Sequence, residues 1–179
     1  IPPHNLREVA AAAVVVMRDG DSLDAVLQVL PGPDFPGGGQ IISSAAELRE
    51  IYASGRGSIK VRASWKIEDL ARGQWQLVVT ELPHGTSAQK VLEEIEDLTN
   101  PRPRLGKKTV SPEQLQLKQT ILSVLERVRD ESGREAAVRL VFEPRSSRLA
   151  QSEFINVLLA HTSLETSVPC NLVMIGLDG

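Results

Sequence analysis

The chain has 179 residues, which suits one domain or one domain with an appendage. Hydrophobic residues make up 41% and aromatics only 3%, so a sizeable core of Leu, Val, Ile and Ala is within reach. A net charge of −3 gives no bulk nucleic-acid signature, and the one cysteine, Cys170, rules out an internal disulfide.

No apolar run approaches the roughly 20 residues a membrane-spanning helix needs, and no signal peptide is visible. A single cysteine in an apolar run reads as a small buried hydrophobe and agrees with a reducing compartment. The start at Ile1 without a Met leads us to expect a piece of a longer protein.

Ile1-Pro2-Pro3-His4-Asn5 is a stiff opening, because two prolines fix φ and forbid a helix until they are passed. Asn5 predicts an N-cap, with Glu8 three residues on. Leu6, Val9, Ala10, Ala13, Val14 and Met17 follow helical spacing, which predicts a helix over 6–17 that buries this stripe. Ser22 predicts the cap of a short second helix carrying Leu23, Val26, Leu27 and Leu30. Residues 31–39 hold three prolines and four glycines and predict a loop. A phosphate-cradle reading of this loop competes with a structural one, but it lacks a Gly-Lys-Ser/Thr ending and a preceding strand pattern. Gln40-Ile41-Ile42 suits a short strand. Ser44 with Glu47 predicts a capping box, opening a helix with Leu48, Ile51 and Tyr52 that ends at Gly55.

From Gly57 the pattern changes to period two. Ile59, Val61, Ala63, Trp65 and Ile67 fall on one face, and Ser58, Lys60, Arg62, Ser64 and Lys66 on the other, which predicts one half-buried strand. Its polar face carries three cations and no anion. Such a row suits a polyanion, because neutralising phosphates releases counterions. It also suits a solvated strand face, where Lys and Arg are common. Arg56, between two glycines, reads as exposed.

Residues 68–73 read as a hairpin connection into a return strand with Trp75, Leu77 and Val79. Ser87 predicts the cap of a helix with Val91, Leu92, Ile95 and Leu98. The stretch 99–110 is rich in Pro, Arg, Lys and Gly and predicts a mobile linker, most mobile near Pro101 to Lys108. Ser111-Pro112-Glu113-Gln114 is a strong helix start, with Leu115, Ile121, Leu122, Leu125 and Val128 as its apolar residues. A turn over residues 129–133, a strand from Val138 to Phe142, a helix near 151–160 and a last strand from Val168 to Ile175 complete the chain. This order predicts an α+β fold, a two-layer domain in which helices cover one face of a mixed, mostly antiparallel sheet. The open face would be the cationic one. We divide the chain into an N-terminal helical segment with its Pro/Gly-rich loop, 1–54, and a sheet domain, 55–179, together forming one domain.

No active site assembles from these residues. His4, His84, His161 and Cys170 have no metal spacing, so no metal ligand and no catalytic residue is assigned. The lone tyrosine, Tyr52, sits at the apolar spacing of a helix and reads as core.

Six ordered motifs carry a resemblance over essentially the whole chain. They are Ile1-Pro2-Pro3-His4-Asn5-Leu6, Gly32-Pro33-Asp34-Phe35-Pro36, Gly55-Arg56-Gly57-Ser58, Glu81-Leu82-Pro83, Arg129-Asp130-Glu131-Ser132 and Asn171-Leu172-Val173-Met174-Ile175-Gly176. Together they resemble the A subunits of bacterial type IIA topoisomerases. Val61-Arg62-Ala63-Ser64-Trp65-Lys66 and Glu143-Pro144-Arg145-Ser146-Ser147-Arg148 are more similar to the topoisomerase IV branch than to DNA gyrase. Gly37-Gly38-Gly39 departs from the usual Thr-led loop, and the 99–118 connection is longer than in many members.

The resemblance implies the tower domain, which supports and bends the cut duplex and lacks the cutting tyrosine. Ile1 would align with the wedge residue, braced from behind by the buried stripe of helix 6–17, and His4, Arg56, Lys60, Arg62 and Lys66 would join it as DNA contacts. The implied partners are double-stranded DNA, a B subunit, plus a second copy of the A chain, in an A2B2 assembly. That assembly would hold Mg²⁺ and ATP through the B subunit, with no cofactor in this segment and no membrane, in a cytoplasmic, nucleoid-associated location. Beside it stand a protein-interaction module with an acidic partner, the A chain of a DNA gyrase, and a small-molecule enzyme built on the glycine-rich loop.

Overall fold

The structure is a computed structural model and describes residues 1–103 and 108–174. Six helices and seven strands are ordered α1 (Leu6–Asp19), α2 (Leu23–Val29), β1 (Gln40–Ile41), α3 (Ala45–Ser54), β2 (Arg56–Arg62), β3 (Ser64–Asp69), β4 (Trp75–Glu81), α4 (Ala88–Thr99), α5 (Pro112–Val124), β5 (Leu125–Asp130), β6 (Leu140–Pro144), α6 (Gln151–His161) and β7 (Glu165–Asn171). Local chemistry sets the helix starts. Asn5, Ser22, Ser44, Ser87 and Ser111 each accept a backbone N–H of their own first turn. Ser44–Glu47 and Ser111–Gln114 close full capping boxes. Gly55 ends α3 at φ 70°, the left-handed conformation glycine adopts without steric cost.

The strands form two antiparallel sheets: a three-stranded one ordered β1-β2-β7 and a four-stranded one ordered β3-β4-β6-β5. The fold is α+β, as expected, but the single basic strand is divided. β2 ends at Arg62, Ala63 donates its N–H to the Leu164 carbonyl at 2.7 Å, and β3 begins in the other sheet. Ala63 is fully buried at this crossing, where a larger side chain would find no room. The first sheet also ties the N-terminal segment to the rest, because Gln40 and Ile41 of β1 pair with Arg62 and Val61 of β2.

Two cores follow from the two sheets. The larger packs Trp75, Leu77, Val79, Leu125, Leu140 and Phe142 of the four-stranded sheet against Val91 and Ile95 of α4, Ile121 and Val124 of α5, and Phe154 and Leu158 of α6. Trp75 and Phe154 meet edge to face at 5.4 Å, and the indole N–H donates to the Ser147 carbonyl. The smaller core holds Phe35, Ile51, Ile59, Val61, Val168 and Cys170, with Leu48 and Leu172 at its margin. α3 sits close over β2 because Gly57 has no Cβ; one placed there would lie 2.5 Å from Ile51 Cγ1.

Three expectations are corrected. The stripe predicted to bury α1 is exposed instead: Leu6 is 81% and Met17 77% accessible, and Val9 and Val14 are also open. The less exposed side is Glu8, Ala11, Ala12 and Val15, so small residues face the body. Leu125 and Val128 do not extend α5; the backbone turns extended at Leu125 and runs as β5, pairing Val128 with Phe142. A spacing of three would put these side chains on opposite faces of a regular strand, but a register shift between Leu125 and Arg127 lets both pack on the larger core. The last strand also begins earlier than expected, at Glu165. Residues 104–107, half of the stretch expected to be most mobile, and Ile175 lie outside the described residues.

Candidate nucleic-acid interface

The residues 1–5 loop is fastened at several points. Pro2 is buried, and residues 3 to 5 are partly buried. The Asp34 N–H donates to the Pro3 carbonyl at 2.9 Å, and Asn5 Nδ2 donates to Asp34 Oδ2 at 3.0 Å. His4 Nδ1 lies 2.8 Å from the Pro2 carbonyl, and its Nε2 bonds the Tyr52 hydroxyl of α3. Ile1 immediately precedes the buried Pro2 of this loop. The brace expected from a buried α1 stripe is thus supplied by α3 and the residues 31–36 loop.

Tyr52 is not simply core. It is half-buried, its hydroxyl is engaged by His4, and burial, then the neighbouring Cys170 and Glu8, push the phenol up to about 12. A phenol held in its protonated form is a poor nucleophile.

The cations fall into two groups. Arg56 and Lys60 stand exposed on the outer face of the three-stranded sheet, and neither forms an ion pair with a described residue. Arg62 shares that face but is half-buried and bonded to Glu165 directly across the ladder, at 2.7 and 2.8 Å.

Lys66 lies in the other sheet, 2.9 Å from Glu68. There the open face is charge-balanced, and the expectation of a cationic open face is corrected. Arg139 reaches Glu68 at 2.8 Å and Glu131 at 3.0 Å; Arg129 bonds Glu131 at 3.1 Å and also Glu143. Three cations, Lys66, Arg129 and Arg139, thus meet three carboxylates over the buried Val78 and Val141. Arg139, then Lys66 and Gln76, hold the Glu68 carboxyl well below the usual carboxylate range.

The glycine-rich loop is occupied by the protein itself. Gly39 N–H donates to Glu81 Oε2 at 2.9 Å, and Ser64 Oγ donates to the same oxygen at 2.7 Å. These bonds lower the Glu81 carboxyl, so the loop amide serves an internal anion. A cleft of about 560 Å³ lies elsewhere, between α4, α5 and the end of α6. Two of its carboxylates, Glu94 and Glu165, already accept from Ser163 and Arg62. Among the described residues no set of three or more His, Cys, Asp or Glu is grouped to hold a metal ion. No helix there is long and apolar enough to cross a membrane.

Sequence reasoning missed the His4–Tyr52 bond, the Arg62–Glu165 pair and the balanced network. Their partners lie 48, 103 and up to 71 residues apart. The only available signal was that a part-buried tyrosine hydroxyl needs a partner.

Comparison with known proteins agrees with the six motifs. The family model for the A subunits of DNA gyrase/topoisomerase IV matches residues 1–178. Over 179 residues the chain is 53% identical to the DNA topoisomerase 4 A subunit of Neisseria gonorrhoeae, covering 99% of this chain and 23% of that protein. It is 42% identical over 180 residues to the Escherichia coli K12 protein of that name, covering all of this chain and 21% of the relative. Against the Caulobacter vibrioides protein of that name identity is 35%, with the same coverage. The chain therefore spans under a quarter of the length of these relatives. A family model that covers nearly every residue, with the motifs in order, places the chain: it belongs to the DNA gyrase/topoisomerase IV A-subunit family.

Proposed function

We propose that this segment is the DNA-supporting tower of a topoisomerase IV A subunit, which carries and bends the duplex that the whole enzyme cuts. The observation that carries the reading is the fastened loop that follows Ile1: prolines stiffen it, and hydrogen bonds from Asp34 and Tyr52 hold it to the body, so the residue before it is rigidly mounted. A fastened loop loses little ordering entropy on insertion between base pairs. Unstacking one step costs a few kcal/mol and lets the duplex bend toward more protein surface. The outer face of the three-stranded sheet then tracks the backbone through Arg56 and Lys60. Phosphate contacts of this kind position the duplex without reading sequence. Arg62 contributes less, because Glu165 already balances it, and Lys66 stands in a separate, neutral network.

The segment itself would neither cleave nor relax DNA, since its lone tyrosine, Tyr52, is half-buried and held in its protonated form. In this reading the assembled enzyme is an A2B2 heterotetramer in the bacterial cytoplasm, associated with the nucleoid, that relaxes and decatenates chromosomes. ATP and Mg²⁺ bound by the B subunit would supply the drive for strand passage and charge stabilisation at the cut. The names of the relatives favour topoisomerase IV over gyrase.

The test uses the intact A subunit with its B partner and a linear duplex labelled at both ends. Ile1→Ala should reduce end-to-end energy transfer, and strand passage with it, while thermal stability stays near wild type. Normal bending together with a large loss of stability would make Ile1 packing rather than a wedge.

A further inference from the structure

We propose that Tyr52 is a positioning residue for DNA bending, acting through His4 to hold the loop that presents Ile1; this rests on the reading above. Residues 2 and 3 are both proline, so neither has a backbone N–H. Their carbonyls are the only main-chain hydrogen-bonding groups by which this stretch can be held. The structure engages both: Asp34 N–H donates to Pro3 from the residues 31–36 loop, and His4 Nδ1, a neighbour within the same stretch that Tyr52 of α3 holds, donates to Pro2.

The second bond fixes the imidazole's chemistry. A carbonyl only accepts, so Nδ1 carries the proton, and in the neutral ring Nε2 is then an acceptor. The Tyr52 hydroxyl donates to it. The rings meet edge to face, with centroids 5.8 Å apart and planes at 84°. The result is a directed relay from α3 to His4 to Pro2, one residue from Ile1. α3 is a sound anchor, because it is capped at both ends and its Ile51 sits in the smaller core. The phenol's raised pKa keeps the hydroxyl a donor throughout the neutral range. Without that hydroxyl, Nε2 loses its donor and the ring is free to turn, which releases Pro2.

The experiment compares Tyr52→Phe, His4→Ala, the double variant and Ile1→Ala in the intact A subunit with its B partner. It reads duplex bending by energy transfer, amide exchange at Asp34, whose N–H is held by the Pro3 carbonyl, and thermal unfolding. Phe keeps the ring and removes one donor. Losing one hydrogen bond predicts about fivefold faster exchange of the Asp34 amide, which donates to Pro3, and about fivefold weaker bending. The unfolding temperature should change little. The double variant should bend no worse than His4→Ala alone, because both changes break the same relay.

The proposal is overturned if Ile1→Ala reduces bending while Tyr52→Phe leaves exchange and bending at wild type. It is also overturned if the losses of Tyr52→Phe and His4→Ala add fully. Unchanged bending in Ile1→Ala, with exchange quickened by Tyr52→Phe, would instead sink the wedge reading and leave the relay standing.

Discussion

The four-stranded sheet with its three helices and the N-terminal helix α1 were built from the same kind of sequence signal, yet they differ in what that signal is worth. In α4, Val91 and Ile95 fall at helical spacing and are buried at 0% and 4%. In α1, the residues at helical spacing are the exposed ones, and Leu6 stands 81% accessible. A hydrophobic period locates a helix and its apolar side. It does not say which surface meets that side. For α4 the surface is the sheet, whose strands are close in sequence. For α1 the small residues Ala11 and Ala12 face the body instead, and close approach decides over apolar area.

The contrast can be broken most easily by truncation. Phe142→Ala in the centre of the larger core should cost about 3–5 kcal/mol, whereas Leu6→Ala in the same segment should cost less than about 0.5 kcal/mol. Chemical denaturation followed by circular dichroism measures both, and equal losses would erase the distinction.

The smaller core offers an intermediate case. Gly57→Val forces a methyl-bearing carbon against Ile51 and should cost about 1–3 kcal/mol through overpacking. Gly133→Ala, with nothing within 4 Å of the new carbon, should be close to neutral. A neutral Gly57→Val would mean that α3 does not ride on β2.

The charged face of the four-stranded sheet sharpens the comparison through pH. Glu68 has a folded pKa below its unfolded value, so its contribution is complete above the unfolded value of about 4.3 and is lost as pH falls through the folded one. Stability should therefore decline on acidification below about pH 5. Glu68→Gln should lower stability at pH 7 by about 1 kcal/mol and flatten that acid limb. Parallel acid limbs for the two proteins would show that the network does not govern it.

How much of this was legible depends on distance along the chain. The caps at Asn5, Ser22, Ser44, Ser87 and Ser111 were readable because each bond closes within three residues. The two sheets were not, since the period-two run continues through Ala63 and only the Leu164 carbonyl, far along the chain, marks the crossing. The candidate site was legible as residues and motifs. Its electrostatics were not, because Glu165 reaches Arg62 from β7, 103 residues along the chain.

That division orders the smallest expected effects. In the intact A subunit, Lys60→Ala should lower the salt slope of duplex binding by about one unit. Arg62→Ala should lower it by less, and Lys66→Ala hardly at all. Equal slopes for Lys60→Ala and Lys66→Ala would return both cations to a single track.

The central claim is that Ile1 touches the stacked bases, and contact is best measured directly. A photoreactive amino acid placed at position 1 of the intact A subunit, with its B partner and duplex bound, should cross-link to bases at one discrete step on each arm. Cross-links confined to protein, or spread evenly along the duplex, would contradict the account.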